Sequence, residues 1–269
     1  MINWSDEWKK FRESSSWSQE LMNKGITSEE YWDNYKFGDR NEEYNRLAGY
    51  PGHLIGRMLR LVSSDSSVLD IGAGAGAYAI PLAKEARKVT VVEPSKGQIA
   101  RMMRLADREG LENIEIINKR WQDVGQAELE SYNLVNAAYC FHMPEIGEAL
   151  QKMLDVTKGS LFLVSLVDHG FADVYEKVFG QEKSDSEYIY LYNMLHQMGY
   201  TANLEIMTRI YQIPLEMQME ILRSSYDFTR GLEQRLMDYL AATGRLVKLD
   251  NGVWVKRRYK DGMIWYQKD

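Results

Sequence analysis

Val68-Leu69-Asp70-Ile71-Gly72-Ala73-Gly74-Ala75-Gly76-Ala77 decides the fold of this chain. Ser67–Ile71 is a short apolar strand, and Tyr78–Ala86 reads as a helix that tolerates Pro81 because it falls near the first turn. Between them three glycines alternate with alanines. Glycine at such a bend lets a ligand approach the backbone where a Cβ would clash, and the N–H groups opening the helix can face a polar or anionic group.

Working outward, the alternation continues on both sides. His53–Val62 is an apolar-faced helix before the motif. After it come a strand at Val89–Glu93 and a helix capped by Ser95, with Ile99, Met102, Met103 and Ala106 inward and Gly110 ending it. Strands follow at Asn113–Ile117, Leu134–Tyr139 and Leu161–Val167. The helix marked by Ile146, Ala149, Leu150, Met153 and Leu154 is expected to stop at Gly159. Near-continuous apolar strands alternating with helices predict an α/β fold whose parallel sheet is covered on both faces. Beyond Asp168, helices are expected at Tyr188–Met198, Leu215–Leu222 and Leu232–Ala242, with a strand at Ala202–Ile213. Asp250-Asn251-Gly252 and Lys260-Asp261-Gly262 read as turns around strands Val253–Tyr259 and Met263–Gln267. The expected architecture is a seven-stranded, mostly parallel, doubly wound sheet with an antiparallel last strand. Four segments follow: an N-terminal helical cap, 1–50; the ligand-binding core, 51–168; an insertion forming a substrate cap and the sixth strand, 169–245; and closing strands, 246–269. In the first, Trp4, Trp8 and Phe11 form a helical stripe, Thr27 and Glu30 a capping box, and Asp39–Asn41 a polar loop.

Composition narrows the function. The 269 residues suit one α/β domain with additions. No apolar run nears the ~18 residues that span a bilayer, and Met1–Glu7 lacks the basic-then-apolar pattern of a signal peptide, so a cytoplasmic protein without membrane association is expected. Cys140 is the only cysteine, which excludes an internal disulfide and a cysteine-based zinc site; with four histidines at no ligand spacing, no metal is expected. The net charge of −6 lacks the usual footprint of nucleic-acid binding. Lys256-Arg257-Arg258 reads as the charged edge of a strand.

Two ligand classes use such a glycine turn. Gly72, Gly74 and Ala77 also fit the dinucleotide fingerprint, but Asp70 would repel a pyrophosphate and attract the ammonium and sulfonium of S-adenosylmethionine. Glu93, ending the second strand, suits the ribose of either. Val68–Ala83 resembles motif I of class I S-adenosylmethionine-dependent methyltransferases, and Val91-Val92-Glu93-Pro94-Ser95 their acidic loop. Tyr132–His142 is similar to their fourth-strand motif and Met198-Gly199-Tyr200 to the turn before their sixth strand. The resemblance covers roughly residues 45 to 210 and the final strand. It implies a Rossmann-like enzyme with S-adenosylmethionine as cofactor and a small-molecule methyl acceptor. It further implies that Asp70, Gly72, Ala73, Gly74 and Gly76 line the methionine end, that Glu93, Pro94 and Ser95 lie at the ribose, and that Trp121 and Gln122 pass the adenine, with Tyr139 also at the cofactor. The sequence departs from the pattern where Arg120 takes the place of the acidic residue that meets the adenine, and where Asn133 replaces an aspartate.

Tyr139 and His142 stand just past the fourth strand as catalytic candidates. His142 could deprotonate a nucleophile or, as a loop histidine, shape the pocket. Asp168 and His169, past the fifth strand, could touch substrate, and Cys140 reads as a core residue. Segments 1–50 and 169–245, rich in aromatic and methionine residues, are expected to close over the substrate. The alternatives are an NAD- or FAD-dependent oxidoreductase on the same turn and a protein that binds S-adenosylmethionine without turnover.

Overall fold

The computed structural model describes residues 2–35, 40–181, 186–224 and 226–268. Its centre is β1 (Ser67–Ile71), flanked by β2 (Lys88–Val92) and β4 (Tyr132–Ala138), all parallel. The chain steps outward from β1 to β2 and β3 (Ile114–Ile117), then returns to the other side of β1 for β4 and β5 (Thr157–Asp168). Strand order therefore reverses between β1 and β4, the position at which an open α/β sheet forms its ligand crevice.

Alternation along β1 sends Leu69 and Ile71 to one face and Val68 to the other. On the first face lie α1 (Trp4–Ser14), α8 (Ile146–Val156) and α10 (Glu187–Gln197). The second is covered by α5 (Gly52–Leu59), α6 (Ala79–Ala83) and α7 (Lys96–Glu109). As expected, Ser95 caps α7 by accepting from Gln98 N, and Gly110 ends it in the left-handed conformation. Thr27 and Glu30 form their capping box at α3 (Ser28–Asp33), which follows α2 (Ser16–Lys24). No helix among the described residues is long and apolar enough to cross a membrane.

Five expectations need correction. The sheet has eight strands: β7 (Leu246–Leu249) pairs with β8 (Gly252–Gln267) across the Asp250-Asn251 turn, in addition to β6 (Asn203–Pro214). Lys260-Asp261-Gly262 is not a turn but the middle of β8, which pairs antiparallel with both β5 and β6. Asp261 is anchored there by Arg209 of β6, and Gly262 leaves room for Tyr188, to which an added Cβ would come within 3.2 Å. Gly159 does not stop α8 but lies inside β5, where a Cβ would fall 2.2 Å from Asn133 O; the close strand approach requires it. Asn41 is not in a loop but begins α4 (Asn41–Ala48), while Asp39 lies outside the described residues. The C-terminal half adds α9 (Ala172–Phe179), α11 (Leu215–Arg223) and α12 (Arg230–Ala242), which build a separate core around Phe171, Leu236 and Val255. There Arg257 is not an exposed edge charge: it is buried, donating to Gln218 Oε1 and His169 O.

Candidate functional site

A cleft of about 790 Å³ opens at the carboxyl ends of β1 and β4. Asp70, Gly72, Ala73, Gly74, Glu93, Pro94, Trp121, Gln122, Tyr139 and His142 all line it. Gly76 and Ser95 stand behind its wall: an added Cβ on Gly76 would press on Met102, and Ser95 caps α7 while donating from its hydroxyl to Asp33.

The turn is tight for a stated reason. Gly72 and Gly74 adopt positive φ, and a Cβ on Gly72 would sit 2.3 Å from Cys140 Cβ. Cys140 Sγ donates to Ile71 O, and burial pushes its pKa up, so it remains a thiol. Asp70 is buried beneath the turn. Its Oδ1 accepts from Asn136 Nδ2 at 2.8 Å, while Oδ2 makes no hydrogen bond of normal geometry. Burial pushes the Asp70 pKa up to about 7, against the opposing pull of Asn136. Glu93 accepts from Gly74 N and Ser95 N, both at 2.9 Å, so one carboxylate ties β2 to the turn. Burial raises its pKa as well. Two carboxylates on one side of a glycine cradle, one with an unsatisfied oxygen, fit a ligand bearing positive charge and hydroxyl donors.

At the far end Arg120 pairs with Glu29 of α3 in a two-pronged contact of 2.5 and 2.8 Å. The carboxylate absent from position 120 is thereby brought to the cleft wall by the N-terminal segment. Trp121 contributes less than expected through its ring, which is packed in the core with Nε1 donating to Ala149 O.

The near end was not legible in sequence. Tyr44, Tyr50, Tyr78 and Tyr259 wall it with Tyr139. Tyr139 is the one described non-glycine residue at positive φ, 55°, which turns the chain sharply off β4. Its hydroxyl donates to Asp261, which also receives Arg209 Nε at 2.6 Å and Nη2 at 2.9 Å. The Arg209 guanidinium lies 5.1 Å from the Tyr50 ring centre and 4.7 Å from that of Tyr259, so the tyrosines surround a cation supplied by the protein itself.

His142 meets Arg12 of α1, with Nη2 2.7 Å from Nδ1. Arginine only donates, so this nitrogen accepts and the neutral ring carries its proton on Nε2. Burial, reinforced by the Arg12 charge, pushes the His142 pKa down to about 3. Asp168 and His169 do not line this cleft. They line a second one, of about 1330 Å³, which shares Tyr139 and His142 with the first. The expected cap is divided likewise: α3, its flanking residues and α4 supply Thr27, Trp32, Tyr35 and Tyr44, whereas among the described residues segment 169–245 supplies only Arg209 to this wall. Trp8 instead is buried in the core, its Nε1 donating to Met143 O. Among the described residues no cluster of three His, Cys, Asp or Glu could hold a metal.

Residues 68–160 match the family described as "Methyltransferase domain". The chain is 26% identical over 228 residues to an uncharacterized protein of Haemophilus influenzae, covering 83% of this chain and 85% of that one. It is 26% identical over 186 residues to a ribosomal protein L11 methyltransferase of Clostridium botulinum; the match covers 64% of this chain and 55% of the relative, so it spans about half that protein's length. Its fold is similar to that of the YcgJ protein of Bacillus subtilis, with a TM-score of 0.56 at 17% identity over 80% of this chain and 98% of that one. It is also similar to magnesium protoporphyrin IX methyltransferase from Synechocystis with bound S-adenosylhomocysteine, with a TM-score of 0.54 at 13% identity over 90% of this chain and 97% of that one.

Proposed function

We propose that the chain is an S-adenosylmethionine-dependent methyltransferase of the Rossmann-like class whose methyl acceptor is a small molecule. The observation that carries this reading is the charge at the cleft. Its described lining holds two arginines, and each is matched by a carboxylate: Arg120 by Glu29 and Arg209 by Asp261. A nucleic acid needs unmatched cations for its phosphates, and this wall offers tyrosines in their place.

In this reading Asp70, Gly72, Ala73 and Gly74 hold the methionine end of the cofactor, Glu93 and Pro94 the ribose, and Gln122 with the Trp121 backbone the adenine. Bound there, the cofactor supplies a sulfonium methyl group open to in-line displacement. The chain's own part is to bind, orient and exclude water. Tyr139, fixed by Asp261, sets the wall at the reacting end. His142 acts there as a hydrogen-bond donor through Nε2; with Nδ1 occupied by Arg12, a role as base does not fit it. Segment 1–50, through α3 and α4, forms the lid, and segment 169–245 braces it through Arg209.

Glu93→Ala should weaken S-adenosylhomocysteine binding by about ten- to a hundredfold, since a hydrogen bond to a charged group is worth ~1.5–3 kcal/mol. Glu93→Gln should also weaken binding, because a side-chain amide keeps one acceptor oxygen but sets its NH2 against the N–H of either Gly74 or Ser95. Calorimetry checks both, and undiminished affinity in the alanine variant counts against the ribose assignment. The acceptor class is tested by incubating the protein with methyl-labelled cofactor and a cell extract split into small-molecule, RNA and protein fractions. Label is expected in the first. Label confined to RNA or to ribosomal protein would overturn the reading.

A further inference from the structure

We propose that the second cleft is the acceptor chamber, and that it takes a planar aromatic carboxylate whose charged oxygens are held by His142 and His169 acting as paired N–H donors. This rests on the reading of the protein as a small-molecule methyltransferase.

The position of the cleft makes it a neighbour of the cofactor site. It lies between α1 and α2 on one side and the end of β5 with α9 on the other, and Tyr139 and His142 belong to both clefts. A molecule seated in it reaches the glycine turn by passing those two side chains.

Hydrogen-bond bookkeeping fixes what it can bind. His142 Nδ1 is occupied by Arg12 Nη2, and His169 Nδ1 accepts from Phe171 N at 3.1 Å. A neutral imidazole with an occupied acceptor nitrogen carries its proton on the other. Both rings stay neutral: burial with the nearby Arg12 charge pushes His142 down to about 3, and burial with the Arg257 charge pushes His169 down to about 4. Each therefore offers Nε2–H, and among the described residues neither Nε2 has an acceptor. The carboxylates of the lining are already matched: Glu7 by Lys10, Glu20 by Lys24, Asp168 by Gly170 N, and Glu187 by Arg12. Arg12, buried to all but 8% of its surface, still has its Nε without a partner. With Arg12 balanced by Glu187, the cleft offers the two imidazole N–H groups as donors without acceptors, and a carboxylate, the strongest oxygen acceptor, suits them.

The walls fix its shape. Phe11 and Tyr190 stack at 4.8 Å and 22°, Tyr175 and Tyr226 at 6.0 Å and 29°, and the Trp17 ring lies 5.5 Å from the His142 ring. The lining is therefore rich in aromatic surface, which suits an aromatic ligand.

The test uses three probes on one scaffold: 4-hydroxybenzoate, 4-hydroxybenzyl alcohol and 4-hydroxybenzylamine. Each is titrated into the full-length protein saturated with S-adenosylhomocysteine, followed by nitrogen-15 spectra of the imidazoles. The free protein should show Nε2–H tautomers at His142 and His169. The carboxylate should shift both signals and bind at least about tenfold more tightly than the alcohol, with the amine weakest. His169→Phe should abolish the preference for the carboxylate, and His169→Gln, which keeps an N–H donor, should restore part of it, with S-adenosylhomocysteine affinity the same in both. Nδ1–H tautomers, or an alcohol or amine that binds as tightly as the carboxylate, would overturn the proposal. Label in the small-molecule fraction without carboxylate binding would sink the chamber alone. Label confined to RNA, with the carboxylate still shifting both histidines, would sink the small-molecule reading and leave a carboxylate site that is not an acceptor chamber.

Discussion

Asp261→Ala is expected to lower stability by about 3–5 kcal/mol, the range for stripping one partner from a buried ion pair. Asp261 is fully buried and Arg209 is 8% exposed. The carboxylate takes two bonds from Arg209 and one from Tyr139, so its removal strands a guanidinium in a low-dielectric site and releases a phenol. For a chain of this size the loss should lower Tm by on the order of 10 °C, read by calorimetry. The double variant Arg209→Met with Asp261→Leu is the sharper measurement. Replacing both charges by apolar groups of similar volume is often neutral, so the double variant should recover most of the lost stability. It should not recover acceptor binding, because Tyr139 would still lack the carboxylate that fixes its ring at the junction of the two clefts. A single variant as stable as wild type would show that the pair contributes nothing. A double variant with wild-type acceptor binding would show that Tyr139 needs no anchor.

The same pair marks where sequence reading ends. Local pattern gave β1, the glycine turn, α7 with its Ser95 cap and the capping box at Thr27 because each is settled by neighbours within a few positions. Asp261-Gly262 looked like a turn on the same local grounds, but its fate was decided by Arg209, 52 positions away. Arg120 departs from the family pattern, and nothing near it in sequence reveals its pairing with Glu29, 91 positions away. Gly159 looked like a helix stop because nothing nearby reveals how closely Asn133 O approaches it. Asp70, Gly72, Glu93 and Tyr139, singled out at strand ends, come together in one cleft because neighbouring strands bring those ends side by side. The tyrosine wall gathers α4, the link from α4 to α5, the residue before α6, the residue after β4, and β8, and no window of sequence holds more than one or two of its members. His142 lines the cleft, but its tautomer depends on Arg12, 130 positions earlier, a contact that no local reading reveals.

Asp70→Asn should weaken S-adenosylhomocysteine by about ten- to a hundredfold at pH 8 and by much less at pH 5.5. The argument is one of linked protonation. Burial raises the Asp70 pKa to about 7, far above the ~3.9 of an unfolded chain. A ligand ammonium beside the unsatisfied Oδ2 favours the ionised form and lowers that pKa. Binding near pH 6 must then release a proton, and affinity must rise with pH until it levels off above about 7. Without ligand the sign is opposite. The folded state binds more protons than the unfolded one between about pH 4 and 7, so Asp70 contributes stability that is fully present below the unfolded pKa and is lost as pH rises through the folded one. Wild type should therefore be stabilised by S-adenosylhomocysteine far more at pH 8 than at pH 5.5, while Asp70→Asn, which carries no charge at either pH, should show small and similar shifts. Calorimetry at pH 6 in two buffers of different ionisation enthalpy counts the released proton. Ligand-induced shifts that are equal at the two pH values in wild type, or a binding enthalpy independent of buffer, would mean that Asp70 is already ionised in the free protein and that its buried oxygen is not waiting for the ligand's charge.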